Sequence, residues 1–310
     1  MEADLKKIQV VGLGQACIDY LGVVPAYPQE DGKVEIQDLL IQRGGPASTA
    51  LVTLSRFGVL TSFLGCISDD PFGRQIEEGL IREGLDISLL KVKPGHISQF
   101  SFIAINKNDG KRTVFWNRGT VPRLTPGEVD VSLFSGASIF HTDGLMVEAA
   151  VEGAKQARDM GMTVVMDVGT MRKGYRQLAS HVDVLIASER LWSPLADPGY
   201  SPEEALESLS TWGPKQVIIT RGSRGSMGWD GNEVISQEAF PVNAVDTTGA
   251  GDVYHGAYIY GLLQNWDMRR CMHFASAVSA IKCQTFGTEK GIPGLEDVQC
   301  FLEGLPSKRV

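Results

Sequence analysis

The segment from Asp246 to Asp252 reads DTTGAGD and has the residue types of an anion-binding turn. It follows an extended stretch and begins an apolar helix that is predicted to reach Leu263. Glycines let a backbone approach a ligand closely, and the free N–H groups of a first helical turn favour a phosphate. A carboxylate there would repel phosphate, so Asp252 is predicted to serve as general base for a hydroxyl nucleophile. The pattern indicates phosphoryl transfer, with the anion held by the amides of Gly249, Ala250, Gly251 and Asp252.

A second glycine-containing segment, Arg43-Gly44-Gly45-Pro46-Ala47-Ser48-Thr49-Ala50, leads into the predicted helix Leu51–Phe57. Paired glycines at a helix start expose backbone N–H groups, here predicted to face the hydroxyls of a small polar substrate.

Gly12 and Gly14 follow the predicted strand Ile8–Val11 and match the start of a dinucleotide fingerprint. Cys17 replaces the third glycine, which weakens this signal. An NAD-dependent oxidoreductase is therefore a minor alternative that leaves DTTGAGD unexplained.

The amino-acid composition and charge argue against several classes of partner and site. The 310 residues include 29 basic and 37 acidic side chains, a net charge of −8, which argues against a nucleic-acid partner. No apolar run is long enough to span a membrane, and the N-terminus lacks the apolar core of a secretion signal, so we expect a cytoplasmic protein with no membrane partner. The five scattered cysteines predict neither a disulfide framework nor a zinc site.

Helical and extended patterns alternate along the chain, which predicts an α/β fold with a mostly parallel central sheet. The predicted buried strands are Ile8–Val11, Ser62–Leu64, Ala137–Phe140, Thr163–Met166, Val184–Ala187 and Val217–Thr220. The predicted helices include Val147–Met160, Met268–Cys283, Leu295–Leu302 and one that begins at the cap Ser201.

Val34–Ile41 and Phe100–Trp116 show the period-2 pattern of exposed strands, the second folded about a turn at Asn108-Asp109-Gly110. We expect excursions near 14–43 and 97–120 to form a small β-sheet lid on a single domain over 1–310. Lid strands with apolar faces also predict a homodimer that pairs through the lid.

Taken together, these segments resemble the ribokinase-like, or PfkB-type, carbohydrate kinases. The resemblance is carried in chain order by Asp19, the 44–45 diglycine, the lid strands, TRGSRG at 220–225, DTTGAGD and the GIP at 291–293. It implies a three-layer αβα sandwich fold. It also implies that the protein uses ATP and Mg²⁺. GGPASTA, VDTTGAGDVYHGA and FASAVSAIKC are most similar to the sulfofructose kinase branch of the family.

The resemblance also implies substrate-binding residues. Asp19 would accept hydrogen bonds from substrate hydroxyls, as suits an acceptor-only carboxylate. The remaining substrate candidates come from the diglycine segment: Arg43, Gly44, Gly45 and Thr49. Thr49 departs from the family pattern, which has asparagine there.

On the nucleotide side, the resemblance implies an ATP cleft lined by the TxGxxG segment and by small residues of a later helix. The candidates are Thr220, Gly222, Ser223, Gly225, Thr248, Ala280 and Cys283. Alone, each of these is also compatible with a hairpin turn or with helix packing.

Two metal sites are implied by the same resemblance. Asp246 and Thr248, together with residues 287–293, would hold a monovalent cation such as K⁺. Ser188 and Leu191 replace the polar ends of the family's NxxE motif, so Glu189 is a partial substitute beside Mg²⁺, or the nucleotide phosphates and waters hold most of that ion.

The predicted function is ATP-dependent phosphorylation of a hydroxyl of a small sugar or sugar derivative. A nucleoside kinase of the same fold and a non-catalytic sugar or nucleotide sensor remain alternatives. Other polar residues are more compatible with structure or solvation. His141 and Asp143, at a strand end near the cleft, are minor candidates for substrate contact. One or two of the lid residues Lys33, Arg43, Arg112 and Arg118 are candidates to meet an anionic group on the substrate.

Overall fold

The alternating strand pattern of the sequence forms a central sheet in the computed structural model, which describes residues 7–191 and 201–304. The strands in chain order are β1 (Val10–Leu13), β2 (Cys17–Val24), β3 (Asp38–Gly44), β4 (Thr61–Leu64), β5 (Cys66–Ile67), β6 (Lys91–Val92), β7 (Phe100–Asn106), β8 (Arg112–Asn117), β9 (Ile139–Thr142), β10 (Thr163–Val168), β11 (Val184–Ser188), β12 (Gln216–Thr220), β13 (Ser226–Trp229) and β14 (Val234–Gln237).

The helices occupy the intervals that the sequence pattern assigns to crossovers. They are α1 (Pro46–Arg56), α2 (Pro71–Arg82), α3 (Val147–Asp159), α4 (Tyr175–Ala179), α5 (Pro202–Ser210), α6 (Ala250–Leu263), α7 (Met268–Cys283), α8 (Thr288–Gly291) and α9 (Leu295–Leu302). Short 3₁₀ turns lie at Pro126–Glu128, Glu189–Leu191 and Gly222–Arg224.

Within the described residues, the central sheet has eight strands in the order β14-β13-β12-β11-β10-β9-β1-β4. The strands from β12 to β4 are parallel, whereas β13 and β14 add an antiparallel edge. Parallel strands that are covered on both faces are apolar throughout. The continuous apolar runs therefore predicted this part of the fold correctly.

The two faces of the sheet pack against different helices, as β10 illustrates. Val165 belongs to a core formed with α1, α6 and α7, while Val164 and Met166 point to a core formed with α3 and α5. This period-2 division produces three layers, helices on either side of the sheet, and confirms the predicted αβα fold class.

A separate four-stranded sheet, hereafter the small sheet, has the order β3-β2-β7-β8. Both predicted excursions contribute to it, with two differences. The strand predicted at Val34–Ile41 lies at Asp38–Gly44, and Cys17–Val24 is a strand that the sequence pattern did not identify. β2 pairs in parallel with β7 and antiparallel with β3, so both excursions are needed to form the sheet.

The inner face of the small sheet has an apolar cluster of its own, formed by Leu21, Ile103 and Ile105. Leu40 and Phe286 pack against it and connect the sheet to the segment that follows α7. This packing brings Gly44, at the end of β3, and Asp19, near the start of β2, towards the start of α6. In the described residues, no helix is long and apolar enough to cross a membrane.

Candidate active site

The DTTGAGD segment forms the turn that begins α6. Gly249 is the N-cap residue with φ 74°, a left-handed conformation that glycine adopts without strain, and Thr288 packs so closely that a Cβ at Gly249 would lie 2.4 Å from its Cγ2. A Cβ at Gly251 would meet no described atom within 4 Å, so that face of the turn is open. The first-turn amides of α6 are thus presented to a site that can receive an anion.

The turn is held by the carboxylate of Asp246, which is fully buried. Its Oδ1 accepts a hydrogen bond from the Thr248 amide at 2.7 Å, and its Oδ2 accepts one from the Gly287 amide at 2.9 Å. Asp246 therefore connects the anion-binding turn to the segment that begins α8.

Gln42 of the small sheet reaches the same place. Its Oε1 accepts hydrogen bonds from the amides of Thr288 at 3.0 Å and Glu289 at 3.3 Å, and the Thr288 hydroxyl donates to the Thr248 carbonyl at 3.1 Å. The small sheet, α8 and the anion-binding turn are thus joined by one chain of contacts.

Lys282, near the end of α7, lies against the predicted monovalent-cation residues. Its Nζ donates to the backbone carbonyl of Asp246 at 2.7 Å and lies 3.4 Å from the Asp246 Oδ2, with both side chains fully buried. An ammonium group that already occupies the oxygen atoms of Asp246 leaves no reason for a second cation there, because like charges at this distance repel strongly. These residues do not fit a monovalent metal ion.

On the substrate side, the structure brings Asp19 and the diglycine together. A Cβ on Gly44 would lie 1.9 Å from the Asp19 Oδ2, and a Cβ on Gly45, whose φ is 107°, would lie 2.4 Å from the Gln15 carbonyl oxygen. The two glycines are therefore required by close approach and by backbone conformation. Asp19 accepts hydrogen bonds from the Ser101 hydroxyl and, at 3.3 Å, from the Cys17 thiol.

The carboxylate of Asp252 makes no hydrogen bond or salt bridge within residues 7–191 and 201–304, whereas that of Asp246 is fully engaged. Desolvation raises the pKa of Asp252, and nearby His255 and Arg112 oppose this rise. Desolvation also raises the pKa of Asp19, and the charge of Asp252 adds to that rise, which indicates that the two carboxylates lie near each other. An aspartate with a raised pKa is a stronger base than usual.

Arg112 connects the small sheet to this site. Its Nη1 donates to the Thr247 carbonyl at 2.9 Å, and the Thr247 amide donates to the Gly110 carbonyl at 3.2 Å in the turn between β7 and β8. Desolvation lowers the pKa of Arg112, and Asp252 is the strongest charge that opposes this effect. A guanidinium therefore lies near the catalytic candidate.

Arg43 is nearly fully buried and is used inside the fold. Its Nε lies 3.5 Å from the Glu289 Oε1, and its Nη1 donates to the Ser48 hydroxyl at 3.0 Å. Thr49 is also buried, within α1, and its amide donates to the Gly45 carbonyl. Substrate binding by Arg43 and Thr49 stays a prediction, and the contacts of Arg43 give it a structural role.

Asp143 fixes the start of α1. It accepts hydrogen bonds from the Gln15 amide at 2.7 Å and the Leu145 amide at 3.0 Å, and the Ala47 amide also donates to it. Burial raises its pKa to about 7 despite these bonds. The Ala47 amide at this helix start is thus directed at Asp143, and substrate binding by Gly44 and Gly45 stays a prediction.

The glycines of the weak dinucleotide pattern have packing roles. A Cβ at Gly12 would lie 2.6 Å from Leu51 of α1, and one at Gly14 would lie 2.2 Å from the Asp143 Oδ2. His141 is buried beneath, with burial lowering its pKa to about 3. These contacts explain both glycines without a nicotinamide cofactor.

The TxGxxG segment lies at the end of β12. The Thr220 hydroxyl donates to the Ala187 carbonyl at 3.3 Å. Gly222 and Gly225 have φ values of 58° and 79°, and a Cβ at Gly225 would lie 2.0 Å from the Gln237 carbonyl oxygen. Ser223 lies in the 3₁₀ turn between the two glycines. The segment is thus a tight turn at the carboxyl edge of the sheet, where ligands of open α/β sheets bind.

Helix α7 supports the nucleotide side of the anion-binding turn. Its Cys283 carbonyl accepts from the amides of Val245 at 2.8 Å and Asp246 at 3.2 Å, and the Ser279 hydroxyl donates to the Ala250 carbonyl at 2.8 Å. Ala280 is buried on the same helix. The hydroxyl of Thr248 is buried without a hydrogen-bond partner in the described residues, so it is available to a ligand.

Glu189 forms a salt bridge with Arg224. This contact competes with the Mg²⁺ role predicted for Glu189, which stays a prediction. In the part of the chain that the structure describes, no group of three His, Cys, Asp or Glu side chains could hold a metal ion.

Sequence reasoning missed Lys282 and Gln42, neither of which was singled out. Arg112 was one of four residues in or beside the lid, of which one or two were expected to meet an anionic group on the substrate, but its contacts with the anion-binding turn were not predicted. A lysine in an otherwise apolar helical stretch, AVSAIKC, was the one available signal for Lys282. The contacts of the other two depend on how the small sheet docks.

Comparison with known proteins agrees with this geometry. The model of the pfkB family carbohydrate kinases matches residues 7–294. The chain belongs to the PfkB family of carbohydrate kinases. The family and the enzyme class predicted from the sequence are thereby confirmed.

One curated relative is a 5-dehydro-2-deoxygluconokinase of Shouchella clausii, 24% identical over 318 residues that cover 96% of each chain. Among solved structures, a candidate ribokinase from Agrobacterium tumefaciens superposes with a TM-score of 0.84 at 26% identity, covering 96% of this chain and 98% of the other. A candidate Ribokinase II from E. coli, solved with ATP and Mg²⁺, gives a TM-score of 0.82 at 23% identity over 96% and 99%. The assignment to the sulfofructose kinase branch stays a prediction.

We predict that Gly44→Ala impairs acceptor binding, because the new Cβ would overlap the Asp19 Oδ2 and displace this carboxylate. The KM for the sugar should rise about tenfold or more, the effect of losing a hydrogen bond to a charged group, while the KM for ATP changes little. Steady-state kinetics of Gly127→Ala provide the control, since a Cβ there meets no described atom within 4 Å. An unchanged acceptor KM in Gly44→Ala would contradict the placement of Asp19.

Proposed function

We propose that this protein transfers the γ-phosphoryl group of ATP to a hydroxyl of a small, negatively charged sugar derivative. The observation that carries the proposal is the unengaged Asp252 carboxylate in the first turn of α6, which shares one electrostatic environment with Asp19. The family match supports the carbohydrate kinase chemistry.

In the proposed reaction, Asp19 accepts hydrogen bonds from acceptor hydroxyls and orients the sugar. Asp252 takes the proton from the attacking hydroxyl as its oxygen forms a bond to the γ-phosphorus of ATP and ADP leaves. The first-turn amides of α6 and the Arg112 guanidinium then face the charge on the transferred group, which lowers the barrier if they are already in place.

Mg²⁺ would neutralise phosphate charge, held largely by the nucleotide and waters, since the protein offers no cluster of carboxylates among its described residues. The Thr248 hydroxyl and the Gly222–Gly225 turn are the proposed protein contacts of the nucleotide. The small sheet, joined to the turn through Arg112 and Gln42, would keep water from competing as acceptor.

We predict that Asp252→Asn lowers kcat about 10²- to 10⁴-fold, the range for losing a general base, with little change in nucleotide affinity. ADP release from Mg-ATP should be measured against ketoses, aldoses, sugar acids, sulfonated and phosphorylated sugars, and nucleosides. Asp183→Asn is a matched control, because Asp183 lies at the start of β11 in a partly exposed salt bridge with Lys215.

Unchanged turnover in Asp252→Asn would contradict the assignment of the base. Turnover of nucleosides alone would make the protein a nucleoside kinase of the same fold. Binding of ATP with no turnover of any acceptor would favour the alternative of a non-catalytic sugar or nucleotide sensor.

The charge of the acceptor is inferred from a cavity beside Gln15 and Ala16, residues that touch the diglycine turn. Gln99, Arg118 and Arg123 line its outer side. Desolvation lowers the pKa of Arg123, and the positive charges of Arg118 and Arg172 lower it further.

Glu148 partly offsets the positive charge at Arg123. Arginines that form no salt bridge beside a sugar site favour a carboxylate, phosphate or sulfonate on the acceptor. No salt bridge within the described residues engages Arg118 or Arg123. The curated relatives are named for a gluconate derivative, a sugar acid, which agrees with this charge.

We predict that Arg118→Gln and Arg123→Gln raise the KM for a charged acceptor about tenfold or more while changing turnover of a neutral analogue little. The loss corresponds to about 1.5–3 kcal/mol for a hydrogen bond to a charged group. Arg269→Gln, at an exposed position on α7, is the control. Equal losses for charged and neutral acceptors would contradict an anion subsite.

We also propose a homodimer that forms through the outer face of the small sheet. Leu39, Ile41 and Phe115 lie on that face and are 59%, 47% and 60% exposed. Leu39 and Ile41 lie on β3 and Phe115 on β8, the two edge strands of this sheet. Large exposed apolar side chains on one face are typical of interaction surfaces. Separately, we propose that the protein is cytoplasmic.

Light scattering should give about twice the 33.6 kDa mass of the chain for the native protein. The double variant Leu39→Lys with Phe115→Lys should give a monomer, because two charges would be placed in the apolar interface. Leu60→Lys changes an exposed leucine at the edge of the main domain and should leave the mass unchanged. A native monomer would contradict the interface.

A further inference from the structure

A lysine ammonium lies fully buried beside the anion-binding turn, and neither the proposed base nor the nucleotide contacts account for it. The Nζ of Lys282 donates to the Asp246 carbonyl at 2.7 Å and lies 3.4 Å from the Asp246 Oδ2. Neither side chain is exposed to solvent. Burying a charge this completely is costly unless it is paired and hydrogen-bonded, so the ammonium depends on its contacts with Asp246.

The surroundings of the ammonium are those of a small cation site. The carboxylate and backbone carbonyl of Asp246 supply oxygen ligands, and the Thr248 carbonyl lies in the same turn, engaged by the Thr288 hydroxyl at 3.1 Å. Hard monovalent cations are bound by the same kinds of oxygen atom. An ammonium group carries the same single charge and is close to K⁺ in size.

The lysine stem is fitted to this position. A Cβ on Gly291 would lie 3.1 Å from both Cε and Cγ of Lys282, so Gly291 leaves room for the extended side chain. Helix α7 ends one residue later, and a positive charge near the C-terminus of a helix is favoured by the helix dipole. Sequence position, packing and charge all support one location for Nζ.

The charge acts on the reacting groups through the turn. Lys282 lowers the pKa of Asp252 against the dominant effect of burial, and it fixes the Asp246 carbonyl three residues before the helix N-cap. The titratable groups that act on Lys282 itself are Asp246, Cys283 and Arg112.

We propose that the ammonium of Lys282 is a built-in replacement for a monovalent metal ion and makes the anion-binding turn independent of K⁺. Lys282 is a positioning residue, because it acts through the turn and does not touch the reacting atoms. The inference rests on the nucleotide-binding role of the turn given above, but its test needs no acceptor.

The first arm uses the unaltered protein. Thermal unfolding and the Kd of a non-hydrolysable ATP analogue with Mg²⁺ are measured in KCl, NaCl and choline chloride at equal ionic strength. We expect the same Tm and the same Kd in all three salts. A Tm or an affinity that is higher in KCl than in both other salts would overturn the proposal.

The second arm uses Lys282→Ala, with Lys155→Met on the exposed face of α3 as control. In choline chloride the variant should bind the nucleotide analogue about tenfold more weakly than the native protein. KCl or ammonium chloride should restore that affinity and raise Tm by about 4 °C or more, because an ion would bind the space left by the ammonium. The control should respond to no salt.

Full nucleotide affinity of Lys282→Ala in choline chloride would overturn the proposal, as would a loss that K⁺ and ammonium both fail to restore. If Lys282→Ala does not fold in any of the salts, Lys282→Gln takes its place and the arm on the native protein still decides. Failure of the ATP analogue to bind the native protein would count against the proposed function, whereas the Tm comparison would still test Lys282.

Discussion

The buried carboxylate of Asp246 is the constraint on which the site depends. It receives hydrogen bonds from the amides of Thr248 and Gly287 and lies beside the Lys282 ammonium, so three separate segments of the chain meet at one side chain. Removing one member of such a set leaves an uncompensated buried charge, which costs about 3–5 kcal/mol. The cost explains how the turn stays fixed while its outer face remains open to a ligand.

A fixed turn allows two aspartates of one segment to serve opposite purposes. Asp246 is fully hydrogen-bonded and buried, whereas Asp252, six residues later, lies in the first turn of α6 with its carboxylate unengaged within the described residues. Desolvation raises the pKa of Asp252, and His255, Arg112 and Lys282 limit this rise. Burial therefore makes this carboxylate more basic than an exposed aspartate, and the neighbouring Arg112 and Lys282 reduce that effect.

The small sheet contributes to the site from the opposite side. Asp19 lies on β2, Gln42 on β3 and Arg112 on β8, and each contacts a different part of the site. Because β2 pairs with both β3 and β7, a shift of register by one residue would turn these side chains to the other face. The register of this sheet therefore sets where Asp19, Gln42 and Arg112 lie relative to the anion-binding turn.

Much of this protein follows from local sequence. The apolar runs determine the central sheet, since strands covered on both faces cannot tolerate polar residues, and Met268–Cys283 and Leu295–Leu302 are helices with the predicted bounds. Asp70 precedes Pro71 and caps α2 by accepting a hydrogen bond from the Gly73 amide at 2.8 Å, a pattern that is also local in sequence. The DTTGAGD turn was also recognisable, because its glycines and helix start form one continuous segment.

Tertiary structure decided the features that join distant segments. Strand β2 was missed because its residues pair with partners from both excursions, and local periodicity does not show such pairing. Substrate binding by Arg43 stays a prediction, and only the tertiary structure shows its contact with Glu289, 246 residues away. Lys282 reads as one lysine on a helix, and only the packing of α7 against the anion-binding turn places its charge on Asp246. Local patterns determine which elements form, whereas the pairing of buried charges depends on how those elements pack.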